Sequence, residues 1–183
     1  MTPPTFRDLS RRQRLYRFRQ LAHIALRAYG LNSAALTFLQ YGENVVYRVD
    51  RPQGGRALLR LHAWDNIPYI NSEMVWLEAL AHQGGLPVPR PIRALNGAFS
   101  IKVEHPHQQV SRIATLLSWL EGRKLNKGLR PKHLNSLGRV TAQLHNFSAA
   151  WIPPEGFTRP DWDWAAQLGG SHSKVVSQVP LIA

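Results

Sequence analysis

An α+β fold is predicted by three features of the sequence. Short β-type runs cluster between residues 36 and 62 and again between residues 92 and 120. One long helical pattern separates the two clusters and another follows them. Turn signals, rather than helices, join neighbouring strands within each cluster, which favours an antiparallel sheet. The expected architecture is a five-stranded antiparallel sheet with a helix packed on it, followed by the first helices of a second lobe.

The elements follow in order. Residues 8–29 read as a helix, because Leu15, Phe18, Leu21 and Ala25 recur at helical spacing and Gly30 stands where such a helix would stop. Leu36–Gln40 is a short apolar strand, and Val45–Asp50 puts Val45, Tyr47 and Val49 on one face. Pro52-Gln53-Gly54-Gly55 is a turn. In Ala57–His62, Leu59 and Leu61 share one face, while Leu58, Arg60 and His62 share the other. A helix is predicted over Pro68–His82, with Asp65 or Asn66 as its cap and Ile70, Met74, Leu77 and Ala81 as its apolar seam. Gly84-Gly85 ends it, and the prolines at 87, 89 and 91 keep the next segment extended. Asn96-Gly97 signals a hairpin between Ile92–Leu95 and Ala98–Val103. Ile113–Leu120 is a further apolar run, closed by Glu121-Gly122. Pro131–Phe147 reads as a second long helix, Trp151–Pro160 as a loop and Asp161–Leu168 as a short helix, after which periodicity stops.

Composition narrows the function. The chain has 183 residues and no cysteine, which excludes disulfide scaffolds, thiolate metal sites and Cys nucleophiles. No apolar run reaches the ~18 residues of a membrane-spanning helix, and arginines interrupt any signal-peptide pattern, so a soluble cytoplasmic protein is expected. The formal net charge is +12. Arg7, Arg11, Arg12, Arg14, Arg17 and Arg19 crowd the first twenty residues, opposed only by Asp8. Such a start suits nucleic acid, an anionic membrane or a transit peptide. It better suits a surface helix with arginines on its wet face. No zinc-finger spacing or RNA-recognition aromatic motif accompanies it, so nucleic acid is not an expected partner.

Chemistry concentrates at few positions. Glu73 borders the apolar seam of its helix, and a carboxylate there needs a partner. Arg60, on the preceding strand and on the face opposite Leu59 and Leu61, is the nearest candidate. The pair is open to two readings, an ordinary strand–helix ion pair or a phosphate-binding device. Gly42-Glu43-Asn44 joins two strands, either as a plain hairpin turn or as a loop that lets a ligand approach the backbone. His105-Pro106-His107 reads as a surface loop, Asp161 and Asp163 as helix-capping acids rather than magnesium ligands, and His145 as a packed or dipole-facing histidine.

Several segments, in this order, resemble the aminoglycoside phosphotransferase family. They are Gly42-Glu43-Asn44-Val45-Val46-Tyr47-Arg48-Val49, Ala57-Leu58-Leu59-Arg60-Leu61-His62 and Ser72-Glu73-Met74-Val75-Trp76-Leu77. Gly85-Leu86-Pro87-Val88-Pro89-Arg90-Pro91, Leu116-Leu117-Ser118-Trp119-Leu120-Glu121-Gly122 and Leu137-Gly138-Arg139-Val140-Thr141-Ala142-Gln143-Leu144-His145 continue the series. The family includes choline-kinase-like and homoserine-kinase-like enzymes with a protein-kinase-like fold, and the resemblance covers about residues 10–168. It implies ATP as cofactor and a small-molecule hydroxyl as phosphoryl acceptor. It implies that Gly42, Glu43 and Asn44 lie over the nucleotide phosphates and that Arg60 contacts phosphate. Glu73 would position Arg60, and Leu117, Ser118 and Trp119 would form the hinge whose backbone meets adenine.

The same resemblance exposes a departure. The family's chemistry needs a loop of the form H-G-D-x-x-x-x-N and a later metal-binding Asp. The aspartates here are Asp8, Asp50, Asp65, Asp161 and Asp163, and none follows His-Gly. The Mg2+ ligands are therefore absent, no catalytic residue is assigned, and the resemblance implies a truncated chain that retains at most weak nucleotide binding. The implied layout is a basic helix over 1–30, a kinase-like N-lobe over 31–120, the start of a helical C-lobe over 121–168 and a tail over 169–183. Self-association through uncovered C-lobe surface is expected. The alternatives are a non-catalytic nucleotide- or partner-binding module and a basic nucleic-acid binder.

Overall fold

The computed structural model describes residues 6–63, 65–105, 110–122 and 128–160. After a 3-10 turn at Phe6–Asp8, helix α1 spans Arg11–Ala28. Ser10 caps it reciprocally. Its hydroxyl accepts from the Gln13 amide (3.3 Å), and its own amide donates to Gln13 Oε1 (2.9 Å). Gly30, at φ 69°, lets the Leu31 amide turn back onto the Leu26 carbonyl at 2.8 Å and close the helix. Phe18, Leu21, Ala22, Ala25 and Leu26 are buried, while Arg11, Arg12, Arg19 and Arg27 lie on the exposed side.

Three strands follow, β1 (Ala35–Tyr41), β2 (Asn44–Asp50) and β3 (Arg56–His62). Helix α2 (Ile67–His82) comes next, then β4 (Pro91–Ile92), β5 (Ser100–Glu104), β6 (Ser111–Ser118) and helix α3 (Pro131–Ala150). The sheet is antiparallel, in the order β1-β2-β3-β6, and β4 and β5 both pair with β6. Residues 114–118 of β6 already face β3, so β4 and β5 lie end to end along its other edge.

The sheet thus has six strands rather than the expected five. The Asn96-Gly97 turn forms, with Gly97 at φ 81° and the Ala94 amide on the Ala98 carbonyl at 2.9 Å. Its arms do not zip into a long hairpin. The Leu95 amide instead donates to the Ala28 carbonyl at the end of α1 (2.9 Å), and Pro91 has no amide to extend β4. Each arm pairs separately with β6. Of the two candidate caps for α2, Asn66 does the work, accepting from the Tyr69 amide at 3.2 Å. The second long helix runs three residues past the expected Phe147.

Strand alternation divides the sheet into two unlike faces. One carries Val45, Tyr47, Val49, Ala57, Leu59, Leu61, Ala114 and Leu116 against α1, in one apolar cluster. The opposite face carries Leu58, Arg60, His62, Thr115 and Leu117. Strand β6 is buried continuously from Ile113 to Leu117, because both faces are covered there. Helix α3 has no buried residue, and Leu134 and Leu137 are 58% and 63% exposed. Its Phe147 end packs against Trp76 of α2 (ring centroids 5.6 Å apart).

Among the described residues no helix is long and apolar enough to cross a membrane. The expected helix at Asp161–Leu168 with its Asp161 and Asp163, the tail after it, and Pro106-His107 lie outside the described residues.

The two environments predict opposite responses to one substitution. Leu59→Ala, in the closed core, costs about 2–5 kcal/mol, whereas Leu137→Ala stays within about 0.5 kcal/mol. Midpoints of denaturant unfolding measure both. A comparable loss at Leu137 would mean that the outer face of α3 is covered in solution.

Candidate functional site

The polar face of the sheet is built around Arg60. In the β3 register Arg60 lies between Val46 of β2 and Thr115 of β6, so its Cα is fixed from both sides by ladder hydrogen bonds. Its side chain leaves the face opposite the core and meets α2. There Nη2 donates to Glu73 Oε1 at 2.7 Å, with the two side chains 17% and 28% exposed. The pairing inferred from the sequence is therefore a direct, partly screened ion pair. One N–H of Arg60 is committed to Glu73, and its Nε is buried with no partner among the described residues. A guanidinium has five N–H donors, so this one keeps donors for an anion on the open side of the pair.

Two rungs along β3 sits a polar pair that sequence reasoning did not single out. His62 is buried, and its Nε2 lies 3.0 Å from Thr115 Oγ1. Burial, and next the charge of Arg60, push the His62 pKa down to about 3. His62 is thus a neutral hydrogen-bonding wedge beside a charged arginine. The signal available in the sequence was Thr115, a lone hydroxyl inside the apolar run 113–117.

The β1–β2 hairpin places Gly42 and Glu43 at an exposed tip. Asn44 lies opposite His62, and its Oδ1 accepts from the Ala63 amide at 3.3 Å. This bond ties the root of the loop to the end of β3, two rungs from Arg60. The Gly42 amide closes the turn on the Asn44 carbonyl at 3.1 Å. No hydrogen bond or ion pair joins Gly42 or Glu43 to Arg60 or Glu73 among the described residues.

Leu117 and Ser118 end β6, and Trp119 follows them. Leu117 is buried between Leu58 and Pro91, on the same face as Arg60. Ser118 is held twice by Arg90. Its amide donates to the Arg90 carbonyl (2.8 Å), and its hydroxyl accepts from the Arg90 amide (2.8 Å). Arg56 reaches Glu121 at 3.3 Å and braces the far side. Trp119 follows directly on the Ala57–Ser118 pair, and among the described residues its buried indole N–H has no partner. Among the described residues no group of three His, Asp or Glu side chains could hold a metal ion.

Residues 37–176 match the phosphotransferase enzyme family. The chain belongs to this family. Solved structures carry the same fold. A microcompartment-associated aminopropanol kinase is 32% identical with a TM-score of 0.70, over 82% of this chain and 46% of the kinase. An amicoumacin kinase, in complex with AMP-PNP and Ca2+, is 21% identical with a TM-score of 0.71, over 93% of this chain and 51% of that protein. This phosphotransferase-family chain thus spans about half the length of the solved structures it matches. No curated protein matches it. The α+β sheet with its helices is the kinase-like fold that the resemblance implied.

The buried His62 makes stability depend on pH. The unfolded chain protonates this residue near pH 6.5, and the folded chain only near pH 3. The stability it contributes is complete above pH 6.5 and is lost as the pH falls from there toward 3. Between pH 7 and pH 5 the expected loss is about 2 kcal/mol. Urea unfolding of His62→Gln at the two pH values should lack this component, because glutamine keeps a hydrogen bond to Thr115 without titrating.

Proposed function

We propose that this chain is the nucleotide-binding half of an ATP-dependent phosphotransferase acting on a small-molecule hydroxyl. The observation that carries the reading is the 2.7 Å Arg60–Glu73 pair on the sheet face opposite the core. Glu73 holds the guanidinium in one orientation, and its remaining donors suit phosphate oxygens. Gly42, Glu43 and Asn44 would cover the phosphates, with the Asn44–Ala63 bond keeping the loop above Arg60. At the hinge the Ser118 amide is already committed to Arg90. Adenine would therefore meet the backbone at Trp119 and the residue after it, flanked by Leu58 and Leu117.

In such a half, binding and orientation come before chemistry. Mg2+, when bound in this family, neutralises phosphate charge in the transition state. The described residues offer no ligand set for it, so no step is assigned to it here. The sequence also contains no His-Gly-Asp loop to orient an acceptor hydroxyl. The 183 residues by themselves are accordingly proposed to bind ATP weakly and not to transfer its phosphate. Identity of 32% to an aminopropanol kinase supports an amino-alcohol-sized acceptor for the complete enzyme.

Isothermal titration of the full chain with ATP tests the reading. Arg60→Ala should lower the affinity by about tenfold, and Glu73→Gln by about threefold, with circular dichroism unchanged. Absence of ATP binding in the parent chain, or an Arg60→Ala variant that binds as well as the parent, overturns it.

A further inference from the structure

Helix α2 is attached on two sides. Toward the sheet, Asn71 Oδ1 accepts from Ser100 Oγ at 2.6 Å, Glu73 meets Arg60 at 2.7 Å and Glu78 meets Arg93 at 3.2 Å. A second set of contacts comes from the segment after α3. Ser72 is 4% exposed, and its Oγ accepts from the Thr158 amide at 2.9 Å. Trp76 lies one turn further along the same helix. Its ring centroid is 4.7 Å from that of Trp151 and 5.6 Å from that of Phe147, and Phe157 packs edge-on against Trp151 at 5.1 Å. Close approach is built in at the end of the helix. A Cβ at Gly84 would stand 2.9 Å from the Leu80 carbonyl oxygen and 3.0 Å from the Phe147 ring.

We infer that residues 151–158 form a clamp that positions Glu73 against Arg60. Ser72 is the neighbour of Glu73, so the Thr158 bond and the Glu73 bond grip adjacent residues from different sides of one helix. The directional contacts toward the sheet are two ion pairs and one hydroxyl–amide bond, each modest singly, and the buried Ile70, Met74 and Leu80 add apolar packing that has no directional preference. A shift of about an ångström along or around the helix axis is enough to lose the 2.7 Å hydrogen bond to Arg60. The aromatic stack removes that freedom, because close-packed rings have few alternative arrangements. Ser72, Trp76, Trp151 and Phe157 are thus positioning residues. They reach the nucleotide site only through α2. The functional consequence rests on the reading of Arg60 and Glu73 as the phosphate-binding pair.

Two readouts on the full chain separate the clamp from that reading. The first is amide hydrogen exchange, which needs no nucleotide. Trp151→Ala should speed exchange in residues 70–80 by about tenfold while residues 57–62 stay protected, and Trp151→Phe should restore most of the protection. The second is ATP affinity. Trp151→Ala should weaken it about threefold, and this loss should vanish in a Glu73→Gln background, where no carboxylate remains to be positioned. Unchanged exchange over 70–80, or an equal affinity loss with and without Glu73, overturns the clamp. If Trp151→Ala accelerates exchange everywhere, Ser72→Ala decides instead. It removes one hydroxyl, and faster exchange confined to the turns around residue 72 supports the clamp, while protection equal to the parent overturns it. A parent chain that does not bind ATP refutes the nucleotide reading, and the exchange arm still decides the clamp.

Discussion

A cation on an inner strand must be neutralised without leaving the sheet, and Glu73 is the group that does so for Arg60. The ladder on both sides of β3 fixes where the arginine starts, and α2 fixes where it ends. Much of the surrounding architecture serves this contact. The apolar face of the sheet is given over to α1, leaving the opposite face to polar groups. His62 stays neutral beside the arginine, so the row carries one positive charge rather than two.

Strand β6 is the second constraint. It is covered on both faces and flanked on both edges, by β3 on one side and by β4 and β5 on the other. A strand in that position has to be apolar on both faces, and 113–117 is so except for Thr115. That one hydroxyl is satisfied by His62. The same strand delivers Ser118 and Trp119 to the edge of the polar face, where Arg90 holds Ser118 and Arg56 pairs with Glu121.

Helix α3 behaves differently from the rest. Its apolar stripe is exposed at Leu134 and Leu137, and its packing lies at the Phe147 end, where it joins the aromatic cluster on α2. In the solved relatives this chain corresponds to about half of a longer fold. The aromatic cluster is where α3 and the segment after it join α2, the helix that carries Glu73.

Local pattern by itself determined the order of the elements, the division of β3 into an apolar and a polar face, and the candidacy of Arg60 and Glu73. These follow from alternation and helical spacing, which act over a few residues. The family followed from the order of segments rather than from any one motif. Tertiary structure decided what depends on distant partners. It decided that Arg60 and Glu73 touch, that Thr115 meets His62 across 53 residues, and that β4 and β5 each choose β6 over one another. It also decided the bond from Thr158 to Ser72, 86 residues apart. A short serine in a helix and a proline-rich loop carry no periodic signal of their own. Their roles arise only when packing desolvates the hydroxyl and makes an unpaired partner costly.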